Sequence, residues 1–267
     1  MIGEDILDLG GQVALVTGAG QGAGRGIALM LARHGAGGVA VNDYVLDRAE
    51  AVAEEIRALG VKAAAVQADV SDLESVRAMA AKATAELGPV SILVNNAGMA
   101  GPNAQLRPRA VFWEEDPAEW GKYLGTNLYG VFNCCHALLP GMVTAQRGRI
   151  VTITSDSGRA GEPRQAVYSA AKAGAAGFVR SIAKEAGRYG ITSNAISLSS
   201  LEFPMSEEER EKFYALDQIK NQLSRYIVRR YGKPDEVAAL TLFLCSDMAA
   251  WITGQTYPLN GGYTLAV

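Results

Sequence analysis

The sequence predicts a single α/β domain of parallel βαβ units with helices on both faces of the sheet. Three observations predict it. Short runs rich in β-branched residues alternate with longer helical patterns, the signature of parallel βαβ units. The strand runs (VALV, GVAV, ILV, IVTI) are almost continuously apolar, as strands covered on both faces are. No linker, low-complexity tract or repeat divides the 267 residues, and a hydrophobic fraction of 49% suffices for one large core.

In chain order the strands are expected at Val13–Thr17, Gly38–Asp43, Lys62–Gln67, Ser91–Asn95, Arg149–Ser155, Thr192–Ser197 and Gln255–Leu259. Helical segments lie between them at Gly24–His34, Leu46–Leu59, Asp72–Leu87 and Ala166–Tyr189. Asp116 precedes Pro117 and Glu119, a capping residue followed by proline at the first helical position. Ser206 and Glu209 have capping-box spacing, which predicts a helix over Glu207–Leu216. Two segments break the βα rhythm, Met99–Glu115 and Leu198 to about Tyr231. Each follows a strand. Ligands of open α/β sheets bind beyond the carboxyl ends of strands, so both segments are candidates for a substrate pocket.

Composition excludes several classes of function. The net charge is −3, from 25 basic and 28 acidic residues, with no basic stripe of the kind that binds nucleic acid. No stretch approaches the roughly eighteen uninterrupted apolar residues of a membrane span. The N-terminus carries Glu4, Asp5 and Asp8 and does not read as a secretory signal, so the expected location is the cytosol. Cys134, Cys135 and Cys245 fit neither a disulfide framework nor a zinc spacing, and His34 and His136 are far apart in sequence. No metal site is expected.

The run from Thr17 to Gly24, TGAGQGAG, follows the first strand and opens the first helix. Residues without Cβ there let backbone N–H groups approach a pyrophosphate at a helix N-terminus. Asp43 lies at the end of the second strand, twenty-five residues beyond Gly18. A carboxylate at that place accepts hydrogen bonds from ribose hydroxyls and repels a 2′-phosphate. Neither Gln21 nor Tyr44 is basic, which favours NAD over NADP, while Arg25 is a cation close by in sequence.

Tyr168 and Lys172 are four residues apart in an alanine-rich helical stretch, so phenol and ammonium share one helix face. A neighbouring cation favours the phenolate and brings a tyrosine with an ordinary pKa of about 10 toward general-base duty.

These motifs resemble the short-chain dehydrogenase/reductase family from Leu9 to about Gly262. The likeness is carried by Thr17–Gly24, Asp69-Val70, Asn95-Asn96-Ala97-Gly98, Asn127, Ser155, Tyr168 and Lys172. It continues through Gly232–Ala238, Ile252–Gln255 and Gly261-Gly262. The resemblance implies one Rossmann-type doubly wound sheet of seven parallel strands. It implies that Tyr168 exchanges a proton with the substrate alcohol or carbonyl. Lys172 would lower the tyrosine pKa and bind the nicotinamide ribose, Ser155 would hold the substrate oxygen, and Asn127 would anchor a relay water. Gly18, Gln21, Gly22, Ala23 and Gly24 would cradle the pyrophosphate. Asp69 and Val70 would contact the adenine, Asn95 would support the floor under the ribose, and Ala97 and Gly98 would continue that wall. A homotetramer is implied as well.

One departure from the family pattern follows the sixth strand, where Leu198 and Ser199 replace the usual Pro-Gly. Without proline the backbone is less pre-set. The residues around Ser155–Glu162 resemble family members acting on ring-bearing hydroxyacyl-CoA esters. Arg107 and Arg109 could pair with CoA phosphates or form a solvated loop. Phe112, Trp113, Phe203, Phe213 and Tyr214 could line a pocket for a bulky ring or serve packing alone. The expected activity is therefore NAD-dependent oxidation or reduction at a secondary alcohol or ketone, on a cyclic or steroid-like hydroxyacyl-CoA. The alternatives are an NADPH-dependent 3-oxoacyl reductase and a catalytically silent dinucleotide-binding protein. A methyltransferase also uses a glycine-rich first turn, but has no use for Ser155, Tyr168 and Lys172 together.

Overall fold

In the computed structural model, which describes residues 5–99 and 110–265, the apolar runs become strands and the longer patterns helices. The strands are β1 (Val13–Val16), β2 (Gly38–Asp43), β3 (Lys62–Gln67), β4 (Val90–Asn95), β5 (Gly148–Ser155), β6 (Ile191–Leu198) and β7 (Thr256–Leu259). The helices are α1 (Gly22–Arg33), α2 (Leu46–Ala58), α3 (Leu73–Leu87), α4 (Trp120–Leu124), α5 (Gly130–Ala145), α6 (Ser157–Ala160), α7 (Ala166–Ala186), α8 (Glu207–Ala215), α9 (Asp217–Leu223) and α10 (Pro234–Cys245). Strand ends fall within a residue of expectation. The helix α10 was legible only as a motif; Pro234 starts it, and Glu236 accepts from the Lys233 N–H at 2.7 Å. Both expected caps form. Asp116 accepts from the Ala118 N–H at 3.0 Å, and Ser206 and Glu209 exchange reciprocal bonds of 3.2 and 2.8 Å.

The sheet is wholly parallel, in the order β3-β2-β1-β4-β5-β6-β7. Successive side chains on a strand point to opposite faces. Ala14, Val16, Val39 and Val41 accordingly join the core under α1, α2 and α10, while Val13, Leu15 and Ala40 join the core under α3, α5 and α7. After β3 the chain crosses over to the other side of β1, so its direction of winding reverses between β1 and β4. That reversal opens a crevice at the strand carboxyl ends.

The helical run Pro117–Ala145 is long and apolar enough, by length and composition, to cross a membrane, with mean hydropathy 1.2. Its inner residues instead pack under the sheet, where Val131, Cys134, Cys135, Leu138 and Met142 are buried. Polar side chains on it are tied to the protein as well: Asn133 donates to the Val70 carbonyl at 2.9 Å. The segment after β6 folds over the strand ends as expected, as α8, α9 and the turns that follow.

Candidate active site

The crevice between β1 and β4 is built by side chains that tie two turns together. Thr17 Oγ1 accepts from the Asn96 and Ala97 N–H groups at 3.0 and 2.9 Å. Asn96 Nδ2 donates back to the Thr17 and Gly18 carbonyls at 2.9 and 3.0 Å. These bonds press the glycine-rich turn against the turn after β4, and leave no room for a side chain between them. A Cβ on Gly24 would lie 2.2 Å from the Gly18 carbonyl oxygen and 2.5 Å from Asn96 Nδ2. The glycines therefore serve close approach of backbone to backbone, the condition for a backbone cradle at the start of α1.

Above that turn lies a cleft of about 620 Å³. It is lined by Gly18, Gln21, Gly22, Ala23, Gly24, Asp43, Asp69, Val70, Ala97 and Gly98, ten of the residues expected to hold a dinucleotide. The Asp43 carboxylate accepts from the Gly20 N–H at 3.1 Å and the Val45 N–H at 3.0 Å, which fixes it at the rim. Asp69 accepts from the Ser71 N–H at 2.9 Å and hydroxyl at 2.7 Å. A cleft of this volume with a glycine cradle and a carboxylate at one end suits a dinucleotide.

Asn95 is buried beneath the cleft, where a support for its floor would stand, with Nδ2 3.4 Å from Thr152 Oγ1 and 3.5 Å from Cys135 Sγ, and Asn96 lines the wall itself. Arg25 points away and pairs with Glu55. Arg48, one turn into α2, is the basic side chain beside Asp43 in the cleft wall. Helix phase after Asp43 was the signal that could have found it.

The expected catalytic residues converge where the cleft ends at Gly98. A Cβ there would stand 3.2 Å from Asn127 Oδ1 and 3.3 Å from Lys172 Nζ. Lys172 is buried, donates to the Ile153 carbonyl at 3.0 Å and lies 5.9 Å from the centre of the Tyr168 ring. Burial pushes its pKa down from 10.5 to about 8. Asn127 is fully buried in a single π-turn, Gly125–Tyr129, which joins α4 to α5. Its side chain accepts from the Met99 N–H at 3.1 Å and donates to the Met99 and Tyr123 carbonyls at 2.8 and 3.0 Å. That side chain is therefore committed to holding the strand-end loop, and a relay water would have to use its backbone.

Ser155 ends β5 and its hydroxyl accepts from the Ser157 N–H at 3.2 Å. Ser155 and Tyr168 line one cavity of about 380 Å³, together with Glu162, Gln222, Arg225 and Tyr226. Phe203, Phe213 and Tyr214 do not line it; they pack in one cluster with Ile219, Tyr231 and the cavity residues Tyr226 and Tyr263. Trp113 is 81% exposed, and Phe112 stacks on Trp120 with ring centres 5.5 Å apart. Arg107 and Arg109 lie outside the described residues. The wall of this cavity is mostly hydrogen-bonding, whereas a second cavity, of about 280 Å³, reaches Tyr168 beside Trp120, Tyr123 and Val167.

The departure at Leu198-Ser199 has its own solution. Leu198 closes β6 and its carbonyl accepts from the Asp156 N–H at 2.9 Å. Ser199 Oγ hydrogen-bonds Tyr226 Oη at 2.5 Å, so a side-chain tie steadies the backbone that proline would have pre-set.

Comparison with known proteins adds independent findings. Residues 18–264 match the family model described as enoyl-(acyl carrier protein) reductase. The chain is 40% identical over 252 residues to 3-oxoacyl-(acyl-carrier-protein) reductase FabG of Staphylococcus aureus (strain Mu50), covering 93% of this chain and 96% of that one. It is 39% identical over 256 residues to the enzyme of the same name from Pseudomonas aeruginosa, covering 96% and 98%. A protein assigned as a short-chain alcohol dehydrogenase from Sinorhizobium meliloti 1021 has the same fold, with TM-score 0.87, 35% identity and coverage of 97% and 98%. A gluconate 5-dehydrogenase from Burkholderia cenocepacia J2315, in complex with NADP and tartrate, has TM-score 0.87, 31% identity and coverage of 98% and 99%.

Proposed function

The chain belongs to the short-chain dehydrogenase/reductase family, and from that premise we propose that it transfers hydride between NAD and a secondary alcohol or its ketone, with Tyr168 as the acid/base. The observation that carries this reading is the meeting of Lys172, Asn127 and the dinucleotide cleft at Gly98, with Tyr168 and Ser155 in the adjoining cavity. When bound, the dinucleotide supplies the acceptor or donor of hydride. In oxidation the Tyr168 phenolate takes the hydroxyl proton as hydride leaves the alcohol carbon, giving a carbonyl. In reduction the same oxygen returns the proton. Lys172 favours the phenolate by its charge. Ser155 donates to the substrate oxygen and steadies the charge that develops there, an effect that depends on its being held in advance.

Asp43 supports NAD, since its carboxylate is held at the rim of the cleft by two backbone N–H groups and would repel a 2′-phosphate brought there. A second reading, NADP, is supported by Arg48 in the same wall and by the NADP held by the gluconate 5-dehydrogenase relative. A 3-oxoacyl substrate rests on the names of the bacterial relatives. Tyr168→Phe tests the central claim. It is expected to keep coenzyme binding, followed by fluorescence titration, and to lose turnover by about 10²- to 10⁴-fold. Undiminished turnover would remove Tyr168 from the chemistry. Tighter binding of NADPH than NADH in the same titration would replace the first coenzyme reading with the second.

A further inference from the structure

We propose that the cavity beside Tyr168 receives a small polyhydroxylated carboxylate, whose carboxylate group is held by Arg225. The assignment rests on the dehydrogenase reading above and adds to it the class of substrate.

The Arg225 guanidinium lies over the Tyr263 ring, 4.6 Å from its centre. Its nearest carboxylate, Glu162 Oε1, is 3.9 Å from Nη1, beyond hydrogen-bond reach. Among the described residues no side-chain group accepts a hydrogen bond from it. A planar fork stacked on a ring, with its N–H edge uncommitted, is the donor set that takes a carboxylate in two parallel bonds.

The rest of the wall favours hydroxyl groups over hydrocarbon. Gln222 is locked, accepting from Tyr231 Oη at 2.7 Å and donating to Ser200 Oγ at 3.1 Å, which leaves its second amide hydrogen for a ligand. Glu162 accepts from Tyr263 Oη at 3.1 Å and keeps further lone pairs. An acyl chain laid against these groups would strip them of water without replacing it. The charges facing the cavity are Arg225 and Glu162; Asp156, though at its edge, is turned into a buried network with Ser197 and Asn260. One bound carboxylate therefore meets a cation with donors to spare, while Glu162 serves as acceptor for the hydroxyls.

The size of the ligand follows from the other side of Tyr168. A second cavity reaching that residue is lined by Glu114, Glu115, Asp116 and Glu119 together with Arg164, Trp120 and Tyr123, and Glu119 is paired with Lys122 at 2.7 Å. The acidic excess that remains there disfavours a polyanionic carrier such as a CoA ester, to an extent that salt reduces. A free acid that fits within about 380 Å³ meets no such barrier.

The test compares four- to six-carbon aldonates with the corresponding alditols, which replace the carboxylate by a hydroxymethyl group. Turnover is followed at the reduced-nicotinamide absorbance with NAD and with NADP. In the wild type kcat/KM for an aldonate is expected to exceed that for its alditol by about 10- to 100-fold. Arg225→Gln loses that preference through a raised KM, and Arg225→Lys recovers part of it. Equal turnover of acid and alditol by the wild type, or a preference that survives in Arg225→Gln, overturns the assignment. Turnover confined to acyl thioesters or neutral alcohols overturns it and leaves the dehydrogenase reading standing. No turnover of any alcohol or ketone with either coenzyme overturns both.

Discussion

The penalty of burying a charge falls on one side chain of the proposed site, Lys172. Its ammonium is buried and, among the described residues, donates to the Ile153 carbonyl alone. Burial disfavours the charged form and brings the pKa from 10.5 to about 8. Below about 8 both folded and unfolded chains carry the proton, and the folded chain bears the penalty of a buried cation. Between about 8 and 10.5 the folded chain releases its proton while the unfolded chain keeps it, so this contribution to stability rises with pH across that window. Lys172→Met removes the group and hence this slope. Urea denaturation at several pH values is expected to show wild type gaining on the variant between pH 8 and 10. A stability difference that stays flat over that range would mean the ammonium is solvated.

At the scale of elements, the ends of β5 and β6 and the turn after β7 are joined through one buried carboxylate. Asp156 follows Ser155 directly. It accepts from Ser197 Oγ at 2.7 Å, from Asn260 Nδ2 at 2.6 Å and from Thr264 Oγ1 at 3.0 Å, with Arg159 Nη1 at 3.3 Å. These donors come from segments distant in sequence, so the network sets where the Ser155 hydroxyl stands relative to α7. Asp156→Ala would leave the Ser197 and Asn260 donors buried without their acceptor, at a cost of about 2–4 kcal/mol. Denaturant unfolding measures it. A loss below about 0.5 kcal/mol would show that the knot contributes nothing to the fold.

At the scale of the molecule, α5 and α7 cover one face of the sheet, and half-buried Phe132 and Phe178 meet beside the exposed Tyr129 of the π-turn that precedes α5. Phe132 and Phe178 pack with ring centres 4.6 Å apart, and Tyr129 beside them is 53% exposed. Exposed aromatic surface of this kind is costly in water and is characteristic of contacts between chains. We propose a homotetramer in which these long helices pack across subunits, as expected from the family likeness. Sedimentation velocity should then give four times the mass of the chain, and Phe178→Glu should shift it to smaller species. A wild-type chain that sediments as a monomer at micromolar concentration would refute the assembly.

Much of this was legible in the sequence because it depends on short-range periodicity. Apolar runs gave the seven strands within a residue, since strands covered on both faces admit little else. The glycine turn, Asp43 and the Tyr168/Lys172 pair were readable because each rests on local spacing. Even Asn95 was within reach: with side chains alternating along β4, adjacent asparagines face opposite ways, and only Asn96 turns toward the cleft. That the chain after β6 folds over the strand ends was expected from its break in the βα rhythm, but which of its side chains reach the cavity, namely Gln222, Arg225 and Tyr226, was decided by the tertiary structure alone. The same holds for Phe203, Phe213 and Tyr214, which read as pocket walls and instead pack behind the wall residues Tyr226 and Tyr263. A sequence determines what each segment can be by its period and its turns; which side chains share a cavity is set by the packing of segments far apart along the chain, and so the coenzyme site could be read in advance and the substrate site could not.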